Sequence, residues 1–129
     1  MTPQFAHIDT RKPNGFYVQF EMITPNDEHG DPTDYLFQDD AYREEDQARL
    51  DAYRAGEWQM IGVRARAHCM IVRNGVGTLM TLDSAGLWGT ESDSDPDYLQ
   101  SIYEEEKGEL LATLAAMQNP AVEIGEVAR

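Results

Sequence analysis

Glu91, Asp93, Asp95 and Asp97 alternate with small or turn-forming residues, and Glu104, Glu105, Glu106 and Glu109 follow soon after. No basic side chain stands between Gly86 and Glu106. Carboxylates at such spacing can ligate a divalent cation, cap a helix, or present a field to a basic surface. Calcium is the most specific of these. Asp93, Asp95, Asp97 and Glu104 fall at positions 1, 3, 5 and 12 of an EF-hand-like spacing. The match breaks at position 6, where the loop needs glycine and Tyr98 stands, and Pro96 occupies position 4. A helix starting at Pro96 spreads Asp97 and Glu104 along an axis instead of wrapping them around an ion. The sequence therefore assigns no metal and no cofactor, and a divalent-metal-dependent regulator is kept only as an alternative.

Capping accounts for part of the run. Asp95 suits an N-cap, and Pro96 suits the first helical position, where its missing N–H costs nothing. Asp93 and Asp97 then lie near the positive end of the helix dipole. Glu104, Glu105, Glu106 and Glu109 lie too far along for that. The plain reading is a solvated face. The sharper one is a decoy for nucleic acid, in which carboxylates imitate phosphates and occupy an Arg- and Lys-lined groove. On that reading Glu91, Asp93, Asp95, Asp97, Glu104, Glu105, Glu106 and Glu109 are the main contacts, with Asp40, Glu44 and Glu45 secondary. Loop acids Asp27, Glu28, Asp31 and Asp34 extend the field.

Other chemistry is sparse. His7, His29 and His68 are far apart, with no paired ligand spacing. Cys69, the single cysteine, falls on the apolar face of a strand pattern, and His68 falls on the opposite face. No phosphate loop, dinucleotide fingerprint or serine elbow is present. No catalytic residue is assigned, and the chain is expected not to be an enzyme. Aromatic residues interleaved with a basic patch are also missing, so direct nucleic-acid binding is not expected.

The elements that must position these residues follow from periodicity. Phe16, Val18, Phe20 and Met22 alternate with polar residues, as in a half-buried strand. A loop from Thr24 to Asp34 follows, then a helix from about Asp39 to Arg54, stopped by Gly56. From Ile61 an alternating strand runs to Asn74-Gly75, whose type I′ turn pairs Arg73 with Val76, Ile71 with Thr78, Cys69 with Met80 and Ala67 with Leu82. That register opposes Arg66 to Asp83 as a cross-strand ion pair. Leu99, Ile102, Tyr103, Leu110, Leu114 and Met117 mark a second helix from Pro96 to Met117, interrupted by Gly108 and ended by Asn119-Pro120. The expected fold is α+β: a three-stranded antiparallel sheet in the order β-α-β-β-α, with two helices packed on one face. It makes a single domain over 1–129, with an ordered core of about 15–118 and a tail, 119–129, that frays.

The chain has 129 residues, 24 of them acidic and 10 basic, for a formal net charge of −14. Such a chain repels nucleic acid and anionic membranes and attracts basic partners. With no membrane-length apolar run, no leader pattern at its start and one cysteine, the expected location is the cytoplasm. Trp88, held between Gly86 and Gly89 beside Leu87, is expected to cover one end of the sheet as core. Exposed, it would be an interface anchor. The outer sheet face with Arg64, Arg66 and His68 suggests pairing with an acidic face of a second copy, a possible homodimer.

"WQMIGVRARA" and "GLWGTESDSDPDYLQSIYEEE" resemble small acidic proteins encoded by bacterial phages, plasmids and integrative elements. The likeness covers Trp58 to about Leu111, and the Gly-Leu-Trp-Gly-x-Glu-Ser-Asp-Ser run is its most specific part. It supplies no site residues. It implies a mobile-element setting, in which small acidic proteins disarm host defences. The expected function is therefore inhibition of a host nucleic-acid-handling defence complex, of the anti-CRISPR or antirestriction kind, by acidic decoy. The alternative is a protein-binding module docking through Leu87 and Trp88 without charge mimicry.

Overall fold

The computed structural model describes residues 14–118. His7, the start of the chain, the helix stop at Asn119-Pro120 and the expected fraying of 119–129 lie outside the described residues. The elements are β1 (Asn14–Ile23), α1 (Arg43–Arg54), β2 (Met60–Arg73), β3 (Val76–Asp83), β4 (Leu87–Glu91) and α2 (Pro96–Gln118), with short 3-10 turns at Pro32–Asp34 and Asp40–Tyr42.

β2 is the spine of an antiparallel α+β fold. β1 pairs along one side of it, placing Val18 opposite Cys69 and Phe20 opposite Ala67. β3 pairs along the other side in the register expected from the sequence, with Arg66 opposite Asp83 and Arg73 opposite Val76. Asn74 and Gly75 both have positive φ, as a type I′ turn requires.

The sheet has four strands, not the expected three. β4 continues the return path of β3 along the start of β2, and two irregularities separate it from β3's register. Arg66 faces Asp83, Val63 faces Leu87, and Ile61 faces Thr90. One extra residue thus enters the return strand between the first and second of these pairs, and another between the second and third. Gly86 (φ 89°) and Gly89 (φ 74°) stand at the two insertions, where the left-handed backbone of a bulge favours glycine. The alternation that marks a strand fails across such insertions, which is why the sequence pattern stopped at Asp83.

The segment after β1 also keeps pairing with β2. The Gly62 N–H donates to the Pro25 carbonyl and the Asp27 N–H to the Met60 carbonyl, both at 2.9 Å. The expected loop is therefore partly strand-like at its start.

The core lies between the sheet and α2. Ile61, Val63, Ala65, Ala67 and Cys69 of β2 meet Ile102, Tyr103, Leu110 and Leu114 of α2, with Phe16, Val18, Phe20 and Met22 of β1 packed around them. Ala65 and Ala67 are fully buried, and their small side chains leave room for the helix. Cys69 is buried here too, and burial pushes its thiol pKa up, away from nucleophile chemistry.

α1 does not share that face as expected, since it contributes no residue to this cluster. Leu50 is its buried residue, and Arg49 ties the helix to Trp58 and Asp93. The helix also begins at Arg43, not Asp39. The Asp39 carboxylate instead accepts the Ala41 N–H and caps a 3-10 turn. At its end, Gly56 (φ 80°) donates to the Tyr53 carbonyl and Glu57 to the Ala52 carbonyl, the paired bonds of a Schellman motif.

Gly108 lies exposed in the middle of α2, and a Cβ built there meets no atom within 4 Å. Gly108→Ala should therefore raise the unfolding free energy by about 0.5–1 kcal/mol by removing a helix penalty without adding a clash. Urea unfolding would show it as a higher midpoint at unchanged slope.

Candidate partner-binding surface

The carboxylates grouped by the sequence separate into two sets. Asp95 is the N-cap of α2: its Oδ1 accepts the Asp97 N–H at 2.8 Å. Asp93 accepts two N–H bonds from the Arg49 guanidinium, one at 2.7 Å, and Glu91 lies 3.4 Å from the same group. Glu91 also accepts the Tyr35 hydroxyl at 2.6 Å. Arg49 lowers the Asp93 pKa mainly by hydrogen bonding, and the Tyr35 hydroxyl is pushed up by burial and then by Glu91. Each of these acids thus has a partner within the chain, while Asp93 and Asp95 remain exposed to solvent.

Glu106 departs furthest from expectation. It is 8% exposed, and its Oε1 accepts the Ser84 hydroxyl at 2.9 Å and the Gly86 N–H. Ser84 Oγ in turn accepts the Ala65 N–H at 2.9 Å. A carboxylate assigned to a binding surface instead clamps the first bulge from beneath. Asp27 does similar work at the second, accepting the Gly89 N–H at 2.9 Å and the His29 N–H at 3.1 Å.

The other set is exposed too and lies on the helices. Asp97, Glu104, Glu105 and Glu109 stand on the side of α2 away from the core, and Asp40, Glu44 and Glu45 surround the start of α1. Glu104 accepts a bond from Gln100. Among the described residues no group of three or more His, Cys, Asp or Glu side chains is placed to hold a metal ion. Of the EF-hand-like set, Asp93 bonds Arg49, Asp95 caps α2, and Glu104 lies along the helix beside Gln100.

The basic residues of the outer sheet face are paired within the chain. Arg66 makes a two-pronged pair with Asp83, as expected, and His68 lies 2.5 Å from the Glu21 carboxylate. The Arg66 bond lowers the Asp83 pKa, and the His68 bond lowers that of Glu21. The face on which a homodimer was expected to pair thus has acidic partners within its own chain.

Trp88 is not core. It is 43% exposed and Leu87 is 45% exposed. The indole lies against Gly62, where an added Cβ would come within 2.5 Å of the ring. Its Nε1–H donates to the Ala85 carbonyl at 3.0 Å, and the Arg64 guanidinium sits 5.6 Å from the ring centre. The glycine-flanked bulges, whose backbone is bonded by Glu106 and Asp27, thus present a large aromatic outward. Trp58 shows the opposite fate: it is 2% exposed, with Arg49 stacked 3.8 Å over its ring.

Trp88 forms a ridge between two concavities. One, of about 500 Å³, is lined by Asn26, Asp27, Glu28, His29 and Trp88. The other, of about 420 Å³, includes Tyr35, Leu87, Trp88, Glu91 and Tyr98 in its wall. Tyr35 and Tyr98 were not singled out from the sequence as site residues. Tyr98 carried a signal, since it falls off the apolar stripe of Leu99, Ile102 and Tyr103. Tyr35 carried none.

Comparisons with protein-family models, with curated proteins and with solved structures find no match to this chain. No helix among the described residues is long and apolar enough to cross a membrane.

Proposed function

We propose that the chain is a protein-binding module that docks a basic partner through Trp88 and Leu87, with the exposed acids of α2 steering the approach. The observation that carries this reading is the outward-facing Trp88, its indole N–H bonded to the Ala85 carbonyl, between two concavities. A preorganised exposed aromatic loses little entropy on binding, and such residues dominate interface energies. The partner class is a nucleic-acid-handling defence complex of a bacterial host, as the mobile-element resemblance implies, met in the host cytoplasm. The module acts by occupying its target, with no catalytic step.

Decoy action by charge alone is the second reading, favoured by the exposed row Asp97, Glu104, Glu105 and Glu109. That row spans about 18 Å of helix at a rise of about 1.5 Å per residue. A duplex carries roughly ten charges over that length. Even with the exposed Asp93 and Asp95 beside them, these carboxylates are fewer than the charges of a duplex, so they steer well but imitate phosphates thinly and charge plays the supporting role.

The test is capture of the partner from host lysate, followed by affinity measurement with the purified target at low and high salt. Trp88→Ala should weaken binding at least about tenfold, as loss of an anchor does. Replacing Glu104, Glu105 and Glu109 by lysine should mainly slow association and flatten the salt dependence. If the lysine variant abolished binding while Trp88→Ala left it intact, the decoy reading would replace the docking one.

A further inference from the structure

The concavity beside Tyr35 and Tyr98 has a composition that selects a ligand. Three aromatic side chains, Tyr35, Trp88 and Tyr98, line it, and each is at least two-fifths exposed. Glu91 supplies the carboxylate in the same wall; Arg49 lies 3.4 Å from it but is not among the residues that line the cleft. Aromatic faces attract cations through the ring quadrupole, and a nearby carboxylate adds to that attraction. The chain's net charge of −14 works in the same direction. Asp95 caps α2 and Asp97 lies in its first turn, next in sequence to the lining residue Tyr98, and both offset the positive end of that helix.

We infer that this cleft receives an arginine side chain of the partner, with the guanidinium against the Trp88 and Tyr98 rings and its N–H groups directed at Glu91. This rests on the docking reading above and names the group that is docked. Arginine is preferred to lysine because a planar guanidinium stacks on an aromatic face and bonds a carboxylate in two places, whereas an ammonium is compact and strongly hydrated. The chain already uses this combination internally, where Arg49 stacks on Trp58 and pairs with Asp93. Tyr35 contributes a ring to the wall and fixes Glu91 through its hydroxyl. Arg64, 5.6 Å from the Trp88 ring centre, is held by the Ser84 carbonyl and Asp83 and is not among the residues that line the cleft.

The probe is N-acetyl-arginine amide, titrated against the full-length ¹⁵N-labelled chain, with the citrulline and lysine counterparts as controls. The two tryptophan indole N–H signals report separately. The Trp88 signal should shift and saturate with a dissociation constant in the millimolar range, while the buried Trp58 signal stays still. Citrulline, which keeps the shape and loses the charge, should bind at least about fivefold more weakly. Tyr98→Ala, at an exposed position, should weaken arginine binding by a similar factor without altering the fold. A citrulline or lysine response equal to that of arginine, or no saturable shift at Trp88, would overturn the assignment. Partner capture measured alongside separates the two claims. If capture still depends on Trp88 while arginine gives no response, the guanidinium assignment alone is lost. If capture ignores Trp88, the docking reading fails, and with it the partner's arginine.

Discussion

Glu106→Ala should lower the unfolding free energy by about 2–3 kcal/mol, although Glu106 belongs to a run of three glutamates that reads as surface. Its carboxylate is buried and accepts two bonds, from the Ser84 hydroxyl and the Gly86 N–H. Truncation leaves both donors without their acceptor at the first bulge. An orphaned buried donor costs far more than a lost exposed bond. Glu105→Ala, one residue away and exposed, should stay within about 0.5 kcal/mol of the parent. Glu106→Gln keeps an acceptor oxygen and should cost roughly half as much as alanine. Urea unfolding of the three variants gives the comparison. Equal midpoints for Glu105→Ala and Glu106→Ala would mean that the carboxylate does not anchor the bulge. A functional consequence follows from the same geometry. Glu106 lies beneath the turn that presents Trp88, so its alanine variant should also weaken partner binding without touching the partner. The glutamine variant should recover most of both properties.

The burial of Glu106 was legible in the helix phase. It falls three residues after Tyr103 and four before Leu110, on the stripe that carries both. Treating Glu104, Glu105 and Glu106 as one acidic unit hid it, because charge composition ignores angular position. The β2–β3 register was legible for the opposite reason: a two-residue turn and a period of two fix every pairing at once. β4 was not, because the insertions at Gly86 and Gly89 shift the phase twice within a few residues. The glycines were visible flanking Trp88, yet a glycine pair fits either a core tryptophan or an outward one. Only the pairing to β2 decides, and it is a long-range fact. The same holds for Arg49 and Asp93, which meet across 44 positions of sequence with no local pattern linking them.

That long-range pair gives the second large effect. Arg49→Ala should cost about 2 kcal/mol at neutral pH, combining charge-assisted bonds with stacking on an indole. The guanidinium bonds Asp93 twice, approaches Glu91, and covers Trp58 at 3.8 Å. Asp93 is about half exposed, so screening trims its share, and the stacking carries the rest. The two shares separate with pH. Hydrogen bonding to Arg49 holds the Asp93 carboxyl below its ordinary pKa. A carboxyl depressed in the folded state stabilises it fully above the unfolded value of about 4 and loses that contribution as pH falls through the folded value. The stability gap between parent and Arg49→Ala should therefore be widest from neutral pH down to about pH 5 and narrow below about pH 4. Urea midpoints of both proteins across that range provide the test. A gap that did not narrow on acidification would assign the whole loss to packing on Trp58. Asp93→Asn should show the matching signature: a smaller loss at neutral pH and a flatter acid limb, with Arg49 still stacked in place.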